Sequence, residues 1–274
     1  MTRGRRPGVA VEAPLRWAPT RPICQTAGMH TIDTRISGGD GPGPAEAALV
    51  ARGTWSALKA RLAVAVVLAL LGCVLFFIDV PVAAWFRGHR LPGDLGRLVD
   101  LSEAFAHGLA VAVLLGVTAS LDPVLRRAGS RPAARFDLLR LVAAAYAGGL
   151  AVDLVKAVVT RVRPRAVDLT AVATAFDTFG TTAAVTNLGG GPLGKSADLM
   201  SFPSGHAAVA AGLATALAWK YPHGTLTFAA LAAAAAAQRV VSSAHYPSDV
   251  AFGAAIGVAV AALCLGGSRP AAGE

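Results

Sequence analysis

Six apolar runs, each close to the length that crosses a bilayer, constrain this chain more than any other feature. They fall near residues 60–79, 104–121, 138–158, 205–220, 223–241 and 248–266, and the first reads ARLAVAVVLALLGCVLFFID. About 20 helical residues span the ~30 Å of hydrocarbon in a membrane. In that medium the backbone must satisfy its own hydrogen bonds, which a helix does within one segment. The expected fold class is therefore all-α: a polytopic membrane protein whose six-helix transmembrane bundle occupies residues 59–268. Only 15% of the 274 residues are charged and 54% are hydrophobic, whereas soluble domains carry about a quarter charged residues. The fifth run, HGTLTFAALAAAAAAQRVV, has the weakest hydropathy signal because it is mostly alanine, yet small residues suit close helix packing in lipid.

Residues 1–58 are of another kind. Fragments such as MTRGRRPG and SGGDGPGPAEAA are rich in Arg, Pro and Gly and hold no apolar run long enough to build a core, so this segment is expected to be a disordered basic tail. It does not read as a secretory signal, because the first long apolar run begins only near Leu62. The net charge is +9, from 25 Lys and Arg against 16 Asp and Glu, and the first sixty residues carry +4 of it. No aromatic-interleaved basic patch or nucleic-acid motif accompanies it, which excludes nucleic acid as a partner. Arg52, Lys59 and Arg61 flank the first run, and Arg126, Arg127, Arg131 and Arg135 lie between the second and third. Positive loops stay in the cytoplasm, so six spans place both termini inside a plasma or inner membrane. Cys24, Cys73 and Cys264 are far apart with no ligand-spaced partner; they suggest neither disulfide nor zinc, and Cys73 and Cys264 are expected as small buried apolar residues.

Under this topology the polar residues at the span ends meet on the outer face. Lys156, Arg161 and Arg163 close the third span, Ser204 and His206 open the fourth, Arg239 ends the fifth, and His245 and Asp249 open the sixth. The connection 159–204 is the one long link among the spans, and such loops are usually functional. Lys156 and Arg163 are seven apart, two turns of one helix, so both cations are expected to share a face until Pro164 stops it. With Arg239 they make three fixed cations, beside a helix start at Pro203-Ser204-Gly205 whose free N–H groups suit an anion. Gly205 lets a ligand approach the backbone, Ser204 offers a hydroxyl, and His206 stands in the first turn. His245 precedes Asp249 by four residues, a spacing that lets the carboxylate orient one ring nitrogen and leave the other free. One histidine with a carboxylate and one without is an acid and nucleophile pair.

KAVVTRVRP (Lys156–Pro164), PSGH (Pro203–His206) and RVVSSAHYPSD (Arg239–Asp249) together resemble the three-part signature of the type 2 phosphatidic acid phosphatase superfamily, in the order K-x6-R-P, P-S-G-H and R-x5-H-x3-D. The match spans residues 156–249 directly, and the six-helix frame resembles the superfamily's integral-membrane lipid phosphatases. The resemblance implies that Lys156, Arg163 and Arg239 hold the phosphoryl oxygens, with Ser204 and the Gly205 N–H completing the cradle. It implies further that His245 attacks phosphorus, that Asp249 orients it, and that His206 protonates the leaving oxygen and later activates water. No metal or other cofactor enters this scheme, since three cations and backbone dipoles stabilise the transition-state charge. Gln238 stands where the signature usually has Ser, and it could donate a hydrogen bond to a phosphate oxygen.

The expected partners are a lipid bilayer and a lipid phosphate substrate: isoprenyl diphosphate, phosphatidic acid or phosphatidylglycerophosphate. The main alternative is a non-catalytic lipid-phosphate-binding or anion-transport protein, which could use the cations without the paired histidines. A membrane serine protease has no use for three cations, and a metallohydrolase built on His206, His245 and Asp249 would be sensitive to chelation. Arg161 and Arg165 lie outside the signature, with headgroup contact and topology anchoring both open. Asp153 is expected to pair with Lys156. His30, His89, His107 and His223 match no motif and read as interfacial or loop residues. NLGGGPLGKS, residues 187–196, lacks the spacing of a nucleotide-binding glycine loop and reads as a flexible loop or lid.

Overall fold

The computed structural model describes residues 44–89, 91–127, 129–180 and 197–267, with side chains from Trp55 onward. Cys24, most of the expected tail and the glycine-rich run 187–196 lie outside these residues. Among the described residues there are eight α-helices: α1 (Pro44–Leu75), α2 (Asp79–Gly88), α3 (Gly93–Ser102), α4 (Gly108–Leu121), α5 (Pro132–Val158), α6 (Gly205–Lys220), α7 (Thr225–Val241) and α8 (Pro247–Leu265). No strand forms among them; Arg161 alone makes isolated bridges, to Phe179 and Met200. The helix α1 starts earlier than the sequence reading placed it. Residues 44–58, assigned there to the tail, are helical, because PAEAALVARGTWSALKA is dominated by strong helix formers that extend the apolar segment N-terminally.

All six apolar runs are helical, but their lengths differ. Trp55–Leu75, Pro132–Val158, Pro222–Val241 and Pro247–Leu265 are long and apolar enough to cross a membrane, and a fifth crossing is reached if Gly93–Phe105 and Gly108–Leu121, bent by 71°, count as one. The helix α6 has 16 residues, only ~24 Å at 1.5 Å per residue. It is the central helix, packed against α5, α7 and α8, and most of its residues, Ala208, Leu213 and Ala216 among them, are buried. Protein rather than lipid surrounds it, which removes the need for full bilayer length.

Small residues hold this centre together. A Cβ added at Gly257 of α8 would lie 2.2 Å from the Ala208 carbonyl oxygen of α6, and one at Gly212 of α6 would lie 2.5 Å from the Ala144 carbonyl oxygen of α5. The backbones are in direct contact there, and no larger residue fits. Around the centre the large apolar side chains face outward: Val64, Val67, Leu70 and Val74 on α1, and Leu150 and Leu154 on α5, are exposed. That inside-out distribution suits a lipid surround. Cys73 is exposed on α1, contrary to the burial expected of it, while Cys264 is half-buried.

The two ends of the bundle are chemically distinct. At one end Arg61 Nη1 donates to the Gly266 carbonyl at 2.7 Å, tying the start of the first span to the end of α8. The same end holds Lys220, 4.0 Å from Asp122 and 3.9 Å from Asp137, with Tyr221 donating to Asp122 at 2.8 Å. The opposite end carries the signature residues.

Candidate active site

Local chain geometry explains the signature spacings. The helix α7 ends with the Ala244 N–H bonded to the Arg239 carbonyl at 3.1 Å and the Ser243 N–H bonded to the Val240 carbonyl at 2.9 Å. Ser243 between them is left-handed, with φ 53°, and this pair of bonds around one left-handed residue is a standard way to satisfy a helix C-terminus. The turn brings the His245 N–H to the same Arg239 carbonyl at 3.0 Å, so the five intervening residues are the length of one helix-ending turn. Pro247 then starts α8, and Asp249 in its first turn accepts from the Tyr246 N–H at 2.9 Å. The start of α6 is clasped to α8: the Ser204 N–H donates to the Asp249 carbonyl at 2.9 Å. Ser204 Oγ caps α6 by accepting from the Ala207 N–H at 3.4 Å.

These ends enclose a cavity of about 390 Å³ lined by Lys156, Arg163, Gly205, His206, Arg239 and His245. Lys156, Arg163 and Arg239 thus converge as the signature requires, and a Cβ at Gly205 would lie 3.5 Å from the Lys156 ammonium. The buried Nε atoms of Arg163 and Arg239 have no hydrogen-bond partner among the described residues. Burial, followed by the charge of Arg165, holds the Arg163 pKa below its usual value. Other wall residues are apolar or small: Ala106, Gly108, Gly149 and Val209. Among the described residues no three His, Cys, Asp or Glu side chains gather in a metal-ligating group.

The imidazole of His245 is 3% exposed, and its Nδ1 lies 2.7 Å from the Ser201 carbonyl oxygen. A carbonyl can only accept, so Nδ1 carries the proton and Nε2 keeps its lone pair. Asp249 Oδ2 is 3.7 Å from Nδ1, too far for a hydrogen bond. The expectation that Asp249 orients the ring is therefore modified: Ser201 fixes the tautomer by contact, and Asp249 acts through its charge and through Ser201, whose hydroxyl donates to Oδ2 at 2.5 Å. Burial pushes the His245 pKa below its ordinary value, with Asp249 opposing the shift, which favours the neutral ring.

Behind His245 lies an ion cluster that the sequence reading left unassigned. Arg161 is fully buried. Its guanidinium bonds Asp79 Oδ2 at 2.7 Å, Asp249 Oδ1 at 2.5 Å, Ser248 Oγ at 2.8 Å and Thr178 Oγ1 at 2.8 Å. Three rings surround it, with Tyr246 closest at 4.1 Å from centroid to Cζ. Burial works against the charge, but Asp249 and Asp79 outweigh it and raise the Arg161 pKa. Asp79 in turn accepts from the Ser248 N–H at 2.9 Å and from the Ser248 hydroxyl. Arg161 is thus neither a headgroup contact nor a topology anchor.

Other expectations also change. Lys156 and Arg163 do not share a helix: α5 stops at Val158, and Arg163 is extended at φ −68° and ψ 148°. The β-branched run Val158-Val159-Thr160 weakens the helix, Pro164 forces its predecessor out of it, and the backbone of Val162 and Arg163 pairs instead with Thr178 and Asp198. Gln238 does not line the cavity; it donates to Asp100 at 3.5 Å. Ser204 is fully buried and, like Asp249, stands behind the lining. Arg165 pairs with Asp198 at 2.8 Å. Asp153 and His107, neither given a role in the site by the sequence reading, both line the cavity. Glu103, in the turn after α3, was missed altogether; its Oε1 bonds Arg239 Nη1 at 2.8 Å and lies 3.6 Å from His206 Nε2. Nothing in the sequence near Glu103 signals this, because the contact bridges 136 residues.

The model of the PAP2 superfamily matches residues 137–269. No curated protein and no solved structure matches the chain. The matched span runs from Asp137 in α5 to just past α8, and holds all three signature segments whose ends meet at the cavity. Over residues 137–269 the chain is similar to the PAP2 superfamily, a likeness that points to phosphatase activity on lipid-type phosphates.

Proposed function

We propose that this protein is a membrane phosphatase that removes the phosphomonoester or diphosphate of a lipid through a phosphohistidine intermediate, without a metal. The observation that carries the reading is that His206 and His245 line one cavity together with Lys156, Arg163 and Arg239. Three cations hold the non-bridging oxygens of the transferring phosphoryl group, whose charge spreads over those oxygens in the transition state. Nε2 of His245 forms the N–P bond as the P–O bond to the lipid breaks, and His206 gives the departing oxygen its proton. Water then attacks the phosphohistidine with His206 taking its proton, and inorganic phosphate leaves.

The apolar wall of Gly149 and Val209 supports a lipid rather than a soluble sugar phosphate. Isoprenyl diphosphates such as undecaprenyl diphosphate, phosphatidic acid and phosphatidylglycerophosphate are the candidate substrates. In the proposed topology all six apolar runs, that of α6 included, count as spans, both termini are cytoplasmic and the cavity opens on the extracytoplasmic face of the cell membrane. The positive loops of the sequence support it.

The test is phosphate release from purified protein over those three lipids, alongside His245→Ala. One or more lipids should be hydrolysed, with an acid-labile phosphoryl label on the wild type and none on His245→Ala. No release from any of them, or undiminished label on His245→Ala, refutes the mechanism.

A further inference from the structure

Glu103 belongs to no signature motif, yet one of its carboxylate oxygens touches two residues of the reaction. Oε1 is 2.8 Å from Arg239 Nη1 and 3.6 Å from His206 Nε2. It is delivered by the short turn Glu103–Phe105 that follows α3, and Phe105 and Ala106 anchor that turn in the apolar core. Asp153 of α5 lines the same cavity, while the charged neighbours that act most on His206 are cationic or cation-forming: Arg239 on α7, His245 in the turn after it, His107 before α4 and Lys156 on α5. Burial first, and then each of these charges, disfavours a proton on His206, whereas a carboxylate favours it. The same carboxylate shares Arg239 with any phosphate bound there.

We propose that Glu103 is a positioning residue that keeps His206 supplied with its proton and competes with phosphate for Arg239. The inference rests on the phosphatase reading. Two consequences follow from the chemistry. A poor leaving group needs a proton as its bond to phosphorus breaks, and a good one does not, so losing Glu103 penalises alkyl esters selectively. A neutral residue at 103 no longer sets a competing negative charge against Arg239, so product phosphate binds more tightly. Glu103 and His206 side chains are each 35% exposed, and solvent screening limits the effect to about tenfold, the equivalent of one pK unit.

The experiment compares kcat/KM for decyl phosphate and p-nitrophenyl phosphate in wild type, Glu103→Gln and Glu103→Asp, with inhibition by inorganic phosphate measured on each. In Glu103→Gln the ratio favouring the nitrophenyl ester should rise about tenfold, and the phosphate inhibition constant should fall at least about twofold. Glu103→Asp, which keeps the charge, should hold the ratio nearer to wild type than Gln does. Equal losses on both esters mark a merely structural role and overturn the proposal, as does phosphate inhibition that is unchanged or weaker. If Glu103→Gln is inactive on both, a Glu103→Asp protein with altered leaving-group selectivity sustains the proposal and one with equal losses overturns it. A wild type that hydrolyses neither these esters nor the lipids removes the phosphatase reading itself.

Discussion

Replacing Arg161 by Met leaves two carboxylates, Asp79 and Asp249, buried without their cation. Both acids and the arginine are inaccessible to solvent, and the two ion pairs are 2.7 Å and 2.5 Å. Unit charges 4 Å apart attract by about 4 kcal/mol at an effective dielectric near 20, and desolvation of each ion offsets much of that in the native protein. Truncating one member of such a buried pair typically costs about 3–5 kcal/mol, because the remaining charge keeps its desolvation penalty and loses its partner. Arg161→Met should lose stability in that range, measured as the unfolding free energy in mixed detergent micelles. Arg161→Lys should lose less, since the charge stays while the fork that reaches Asp79, Asp249, Ser248 and Thr178 is lost. Adding Asp79→Asn to Arg161→Met removes one stranded charge and should recover at least about 1 kcal/mol, a coupling that only contacting residues show. A loss below about 1 kcal/mol for Arg161→Met, typical of a surface change, or no recovery in the double variant, would refute the reasoning.

Burial lowers the His245 pKa from 6.5, so its neutral, nucleophilic form persists to lower pH than a free imidazole allows; the acidic limb of kcat/KM should have its midpoint below 6.5, and a midpoint at or above that value contradicts the assignment. A Cβ at Gly253 would lie 2.2 Å from the Ser204 carbonyl oxygen, so Gly253→Ala should push the Pro203–His206 turn off α8, costing about 1–3 kcal/mol and most turnover; Gly116→Ala, which meets nothing within 4 Å, is the control, and equal behaviour of the two discards the packing argument. Turnover should be complete after exhaustive chelation, and activity lost to EDTA and restored by zinc or magnesium would show that the three cations are not sufficient.

What depends on local spacing was legible in the residues alone. Apolar runs locate helices because each run carries its own backbone hydrogen bonds and its own preference for an apolar medium, although only four, or five if the bent pair counts as one, are long and apolar enough to cross a membrane. The interval from Arg239 to His245 is one helix-ending turn, and that from His245 to Asp249 lies within the start of the next helix, so both were legible as motifs. Whatever depends on partners far along the chain was settled only by folding. Arg161, Arg163 and Arg165 are equivalent cations in sequence. Only folding sorts them: Arg161 meets Asp79 and Asp249, Arg163 lines the cavity, and Arg165 pairs with Asp198. Whether α6 faces lipid likewise depends on α5, α7 and α8 surrounding it, which its own 16 residues do not encode. Glu103 reaches Arg239 across 136 residues, and a charge acts on whatever folding brings within a few ångströms of it, however distant in sequence.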